Sequence, residues 1–299
     1  MDDIYSMLNA IETKKQPSER MPKEEYAKMM NERRQSLFDL SEKQTDIISQ
    51  DSDEYMHFLK LMGNTDYTPT NTLLVMAQKP DATYLKDGNH WQELKCYRKK
   101  GEKGIQILEP KGEYEKKDGT IGTNYAIKYV FDITQLSTTF TVPQKHYTLE
   151  QLVRGLTYDT SVKLQKLDSL DGNDKVLYSP ETKIIYYQDN ISQQEMIFGL
   201  AREYCYLEFD KQYENMDRIR DKFMVESSTY LLCQKYGITI PNDDFSKEVS
   251  IYFKDMDSKE IKQELANIKE LADDVSKRMD RGIYQFEQSR TQQHNQEVR

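Results

Sequence analysis

Histidine is scarce in this 299-residue chain: His57, His90, His146 and His294 are the whole set, spread far apart. No pair stands at helical ligand spacing, so an HExxH zinc site is excluded. Three cysteines, Cys96, Cys205 and Cys233, are too few and too scattered for a disulfide framework or a paired-cysteine metal knuckle. No apolar run approaches the ~20 residues that span a bilayer. The start, MDDIYSMLNAIETKK, lacks the basic opening and apolar run of a signal peptide. Together these features point to a cytoplasmic protein of a reducing compartment with no membrane partner and no metal or other cofactor. A net charge of −9 excludes general coating of nucleic acid by the whole surface but leaves room for a local basic site.

The chain does hold tyrosine and phenylalanine, 21 and 10, enough to anchor more than one core. The pattern predicts an α+β fold in two parts. Residues 1–20 read as a mobile lead-in. Residues 21–136 form a first domain, with helices over 22–49, 51–63 and 71–78, a strand over 105–108 and a β-rich run over 125–133. Asp118-Gly119 marks a charged hairpin tip between those strands. Three threonines and Pro143 mark a linker over 137–147. A second, mostly helical domain covers 148–245, with a helix capped at Thr148, a hairpin over 176–187 and helices over 192–209 and 217–236. A helical extension covers 246–284, striped by Ile261, Leu265, Ile268, Ala272, Val275 and Met279. A polar tail follows over 285–299.

Two carboxylates sit where apolar residues are expected. Met196, Leu200, Glu203 and Leu207 step by four, three and four along one helix face; Ile219, Phe223, Glu226, Tyr230 and Cys233 do the same on the next. A buried carboxylate is costly unless it is partnered or protonated, so Glu203 and Glu226 either serve a site or face a groove at the core edge. The order of elements, a hairpin followed by two such helices, resembles the ImmA/IrrE-type zincin-like metallopeptidases. That resemblance puts the general base at Glu203, a metal-ligating carboxylate at Glu226, and the two imidazoles at Arg202 and Tyr206. With both imidazoles replaced, it implies a vestigial, metal-free site in a protein that is not an enzyme, with Arg202 pairing with Glu226 where a cation would sit.

The segment 71–110 interleaves Tyr84, Trp91 and Tyr97 with Lys86, Lys95, Arg98, Lys99, Lys100 and Lys103. Aromatic faces stack on bases and cations neutralise phosphates, the combination used in single-strand grooves. Arg98, Lys99, Lys100 and Lys103 suit phosphate; Tyr84 and Trp91 either stack on bases or sit in the core; Asn71 and Gln78 either contact a base or cap a sheet. The run Asn71, Leu73-Leu74, Gln78, Pro80, Ala82-Thr83, Trp91, Lys100-Gly101-Glu102-Lys103-Gly104-Ile105 and Pro110 resembles the N-terminal domain of the ArdC antirestriction family, over about residues 25–135. It implies single-stranded-DNA binding without sequence readout, in a protein of a bacterial mobile element that acts in antirestriction or against another host defence. The partners expected are single-stranded DNA and a host-defence or mobile-element protein. An interaction module built on a peptidase-like cleft, or a residual metallopeptidase with an atypical metal set, are the alternatives.

Overall fold

Polar punctuation sets the helix boundaries of the first half. The computed structural model describes residues 22–115, 118–143, 146–170, 174–213, 215–241 and 244–297, with side chains as far as residue 292; the expected lead-in lies outside them. Helix α1 (Lys23–Ile48) is separated from α2 (Ser52–Gly63) by Asp51, whose carboxylate accepts the N–H groups of Asp53 and Glu54 at 2.9 and 3.0 Å. Helix α3 (Pro69–Gln78) opens on a proline, where the missing N–H would have had no intrahelical partner. Then come β1 (Leu85–Asp87), the short helix α4 (Gly88–Glu93), β2 (Ile105–Glu115) and β3 (Ile121–Asp132). They form an antiparallel sheet in the order β1-β3-β2. The two long strands extend well beyond the runs legible in sequence. The three-residue β1 and six-residue α4 are too short to carry a period.

One edge of this sheet is closed by side chains. The Asn71 amide donates to the Leu108 carbonyl at 2.9 Å and accepts from the Leu108 N–H at 2.8 Å. Gln78 repeats the pattern on Gln106, at 2.8 and 2.9 Å. The two amides on α3 thus stand in for a neighbouring strand on the outer edge of β2. Asn71 and Gln78 are sheet caps in this structure, and the base-contact alternative is corrected accordingly. Asn71→Ala would leave the buried Leu108 N–H and carbonyl unpaired. We expect a loss of ~2 kcal/mol of stability, read by urea unfolding.

In the second half, α5 (Leu149–Thr157) starts at the expected Thr148 capping box. Strands β4 (Lys163–Lys166), β5 (Val176–Ser179) and β6 (Ile184–Tyr187) form a sheet in the order β4-β6-β5, with β5 and β6 as the anticipated hairpin. Helix α6 (Gln193–Gln212) lies so close to β5 that a Cβ on Gly199 would meet Val176 Cγ2 at 2.6 Å. Helix α7 (Lys222–Tyr236) ends on Gly237 at φ +65°, and α8 (Val249–Tyr252) is a single turn. The sequence places the start of α7 at Asp217. Instead the Asp217 carboxylate takes the N–H groups of Ile219 and Arg220, holding 217–221 as a turn. Ile219 therefore leaves the apolar stripe and is 89% exposed.

The last helix, α9 (Ser258–Glu297), is about 60 Å long at 1.5 Å per residue. Its expected stripe, Ile261 to Met279, is buried. It packs on α5, α6 and α7 and also on α1 and α3, so one hydrophobic cluster runs from Ile48 to Ile283 through both halves. The Tyr55 hydroxyl and Ser227 Oγ, 2.8 Å apart, join the halves inside that cluster. Residues 285–297, read from sequence as a polar tail, continue the helix: the stretch is rich in Gln, Glu and Arg, which favour helix and need no buried face.

Candidate nucleic-acid interface and the arginine–carboxylate centre

The basic turn is held by one buried acid. Asp132 accepts the N–H groups of Thr83 and Tyr84 at 2.7 and 2.9 Å and that of Thr134 at 2.9 Å. Its own N–H donates to Gln135 Oε1 at 2.9 Å. The Gln135 amide then donates to the Lys103 carbonyl at 2.8 Å and to Glu102 Oε2 at 2.9 Å, while the Gln135 carbonyl accepts from the Lys99 N–H at 2.9 Å. The loop 99–104 is thereby tied to the end of β3. Gly101 turns at φ +91°, and a Cβ on Gly104 would meet Tyr129 Cδ1 at 2.9 Å.

Arg98, Lys99, Lys100 and Lys103 are all exposed on this turn. Lys99 Nζ donates to the Thr134 carbonyl at 2.7 Å. The Arg98 guanidinium lies 4.3 Å from the centre of the Phe131 ring and has no hydrogen-bond acceptor among the described residues. It lines two adjoining hollows. One, of about 380 Å³, lies between α4 and the turn and is walled by Trp91, Gln92, Tyr97 and Glu102 among others. The other, of about 730 Å³, runs along β3 beside Gly88 and Lys128.

Trp91 is 1% exposed, and its Nε1 donates to the Phe131 carbonyl at 2.9 Å. It packs edge-on against Tyr84 and Phe140. Trp91 is thus core, and a stacking role for it is corrected: no base reaches a ring enclosed on this scale. Tyr84 is half-buried in the same cluster, stacked on Phe140. The free ring is Tyr97, 61% exposed. Sequence analysis placed Tyr97 among the interleaved aromatics but did not single it out. The pairing of Arg98 with Phe131, 33 residues away, had no sequence signal.

The second centre gathers Arg202, Glu203, Tyr206 and Glu226, all on α6 and α7. Glu203 is fully buried. Its oxygens accept from Arg202 Nε at 2.9 Å, from the Tyr178 N–H at 2.7 Å, and from both terminal nitrogens of Arg218 at 2.8–2.9 Å. Arg218 also lies 3.8 Å over the Tyr206 ring. Arg202 reaches Asp174 at 2.6 Å and stands 3.9 Å from Glu226. Burial works against the Arg202 charge, but Glu203, Asp174 and Glu226 raise its pKa overall. Burial pushes the Glu226 carboxyl above the ordinary carboxylate range, with Arg202 only partly offsetting it. The nearby Cys205 thiol is pushed up to about 12 by burial and stays a thiol.

This donor set does not fit a divalent cation. The Glu203 oxygens are taken by two guanidiniums and an N–H, and Glu226 faces one of those same guanidiniums, Arg202, rather than further ligands. Among the described residues no group of three or more His, Cys, Asp or Glu side chains is placed to hold a metal ion. Arg218 is the residue that sequence reasoning missed. A signal existed: a buried glutamate needs a cation, and the loop between α6 and α7 offers Arg218 and Arg220, of which Arg220 is taken by Asp221.

The raised Glu226 pKa has a stability consequence. A carboxyl that holds its proton more tightly in the folded state contributes stability fully below its unfolded pKa, and that contribution is lost as pH rises through the folded value. Glu226→Gln should therefore raise the urea midpoint at pH 7 and leave it unchanged near pH 4. A metal-ligand role predicts a loss at pH 7.

Neither the protein-family models nor the curated proteins give a match to this chain. Solved structures do. The metal-free crystal structure of the antirestriction protein ArdC from plasmid R388 aligns with a TM-score of 0.53 at 17% identity, covering 81% of this chain and 98% of that one. The fold is shared with ArdC. The Mn(II)-bound structure of the same protein aligns with a TM-score of 0.49 at 17% identity, over 71% and 85% of the two chains. At this identity the likeness to ArdC is one of architecture alone. No helix among the described residues is long and apolar enough to cross a membrane.

Proposed function

We propose that this protein binds single-stranded DNA along the groove beside the basic turn, as a non-catalytic antirestriction or anti-defence protein of a mobile element. The observation that carries the reading is Arg98. Its guanidinium is held against Phe131 with its donors free, at the junction of two hollows and beside Lys99, Lys100 and Lys103. A pre-set guanidinium among exposed lysines and a free tyrosine ring supplies phosphate contacts and stacking together. Stacking on the exposed Tyr97 ring needs an unpaired base, so paired strands are disfavoured. The antirestriction role rests on the shared fold with the R388 protein.

For the second half we propose a support and docking role without hydrolysis, in a degenerate zincin-like domain. The support is the arginine–carboxylate centre, in which Arg202 and Tyr206 stand at the positions where the family resemblance expects imidazoles and Glu203 is fully engaged as an acceptor. A base whose oxygens already accept four donors has no free lone pair aimed at water.

Photo-crosslinking of an oligonucleotide carrying 5-bromouracil, mapped by mass spectrometry, tests the interface. Attachment is expected within 84–104, with Tyr97 foremost. Attachment confined to α9 would refute the placement.

A further inference from the structure

The geometry points to a pocket for a single unpaired nucleobase in the hollow between α4 and the basic turn, and to a preference there for a base bearing an amino group over thymine. This rests on the single-stranded-DNA reading and sharpens it, because stacking and phosphate contacts alone carry no base preference.

At about 380 Å³ the hollow falls in the range of small-ligand clefts, roughly 300–1,000 Å³. Its entrance is marked by Tyr97. The Tyr97 backbone is fixed: its carbonyl accepts from the Ser137 N–H at 2.8 Å and from Ser137 Oγ at 2.9 Å, and its N–H donates to Thr138 Oγ1 at 3.3 Å. The ring, by contrast, is 61% exposed and stacks on no other ring among the described residues. A pinned backbone that presents a bare aromatic at the mouth of a cavity is a stacking platform with its ordering cost already met. Arg98 closes the side toward β3, and Gly101, with nothing within 4 Å of where a Cβ would stand, leaves the turn open.

Other lining residues carry the polar discrimination. Glu102 lines the hollow; its Oε2 is held by Gln135 at 2.9 Å, and its Oε1 has no partner among the described residues. An ionised carboxylate only accepts hydrogen bonds. Cytosine presents an N4 amino group and pairs with a glutamate; thymine presents the O4 carbonyl at the same place and would set oxygen against oxygen. Gln92, also on the wall, has both a donor and an acceptor and tolerates either base. The carboxylate is also the one acid within the run Arg98–Lys103. For phosphate binding alone it is a repulsive intrusion; as a base-reading group it has a use.

The test is a competition assay on the full chain. A labelled mixed-sequence oligonucleotide is displaced, by fluorescence anisotropy, with matched homopolymers of deoxycytidine or thymidine, two pyrimidines that differ at position 4 and the adjacent methyl. The cytidine polymer is expected to compete about tenfold better, the worth of one charge-assisted hydrogen bond. Glu102→Gln keeps an oxygen for Gln135 and presents an amide N–H₂ to the hollow, so the preference should vanish or turn toward thymidine. Tyr97→Ala should weaken both polymers alike. Equal competition by the two polymers in the unaltered protein, or an undiminished cytidine preference in Glu102→Gln, overturns the pocket while leaving single-strand binding standing. Failure of the labelled oligonucleotide to bind at all overturns both.

Discussion

Replacing Arg218 with alanine is expected to lower the unfolding free energy by ~3 kcal/mol, because it strands a buried charge. Glu203 is fully buried and takes from Arg218 the two-pronged contact at 2.8–2.9 Å that matches a carboxylate best. Arg202 and the Tyr178 N–H remain after the substitution, which holds the loss at the lower end of what breaking a buried pair costs. The Tyr206 ring loses its cation as well. Urea unfolding measures the loss. The second substitution decides the cause: adding Glu203→Gln to Arg218→Ala should restore part of the stability, since a neutral amide still accepts from Tyr178 and no longer needs a positive partner. A simple packing defect at Arg218 would instead make the double variant no better than the single.

Reversing Lys99, Lys100 and Lys103 to glutamate is expected to weaken single-stranded-DNA binding by about 10²-fold at 0.1 M salt. Each phosphate contact on a single strand contributes about 0.7 to the slope of log affinity against log salt, so three contribute about 2. Two decades of affinity at 0.1 M follow from that slope, and like-charge repulsion adds to it. The slope itself should flatten by about 2 across a salt series. The Lys99 side chain also donates to the Thr134 carbonyl at 2.7 Å, so circular dichroism must show the fold intact. The backbone ties of the turn through Gln135 do not depend on the lysine heads. Unchanged affinity would remove the turn from the interface.

Much of the architecture was legible because it is written in local period and punctuation. Thr148 announces a helix with its capping box, the helix expected to end at residue 236 does stop at Gly237, and the stripe from Ile261 to Met279 has the helical repeat. Glu203 was legible by contrast, a charge in an apolar face. What stayed hidden depends on distance in sequence. Arg218 reaches Glu203 from a turn that helical spacing misreads as helix, and Arg98 finds Phe131 only after β3 has folded back. Side-chain burial was the other blind spot. Trp91 and Tyr97 look alike as aromatics among lysines, yet one donates its indole N–H into the sheet and the other stands in solvent. For Asn71 and Gln78 the sequence left base contact and sheet capping open, and the open edge of β2 claims both amides.

One titration tests the interface most directly: the same oligonucleotide sequence, single-stranded and as a duplex, followed by anisotropy across a range of salt concentrations. The groove beside the basic turn predicts that the single strand binds more tightly than the duplex at every salt concentration, and that its affinity falls as salt rises. Binding of the duplex as tight as or tighter than the single strand, or affinity indifferent to salt, would contradict it.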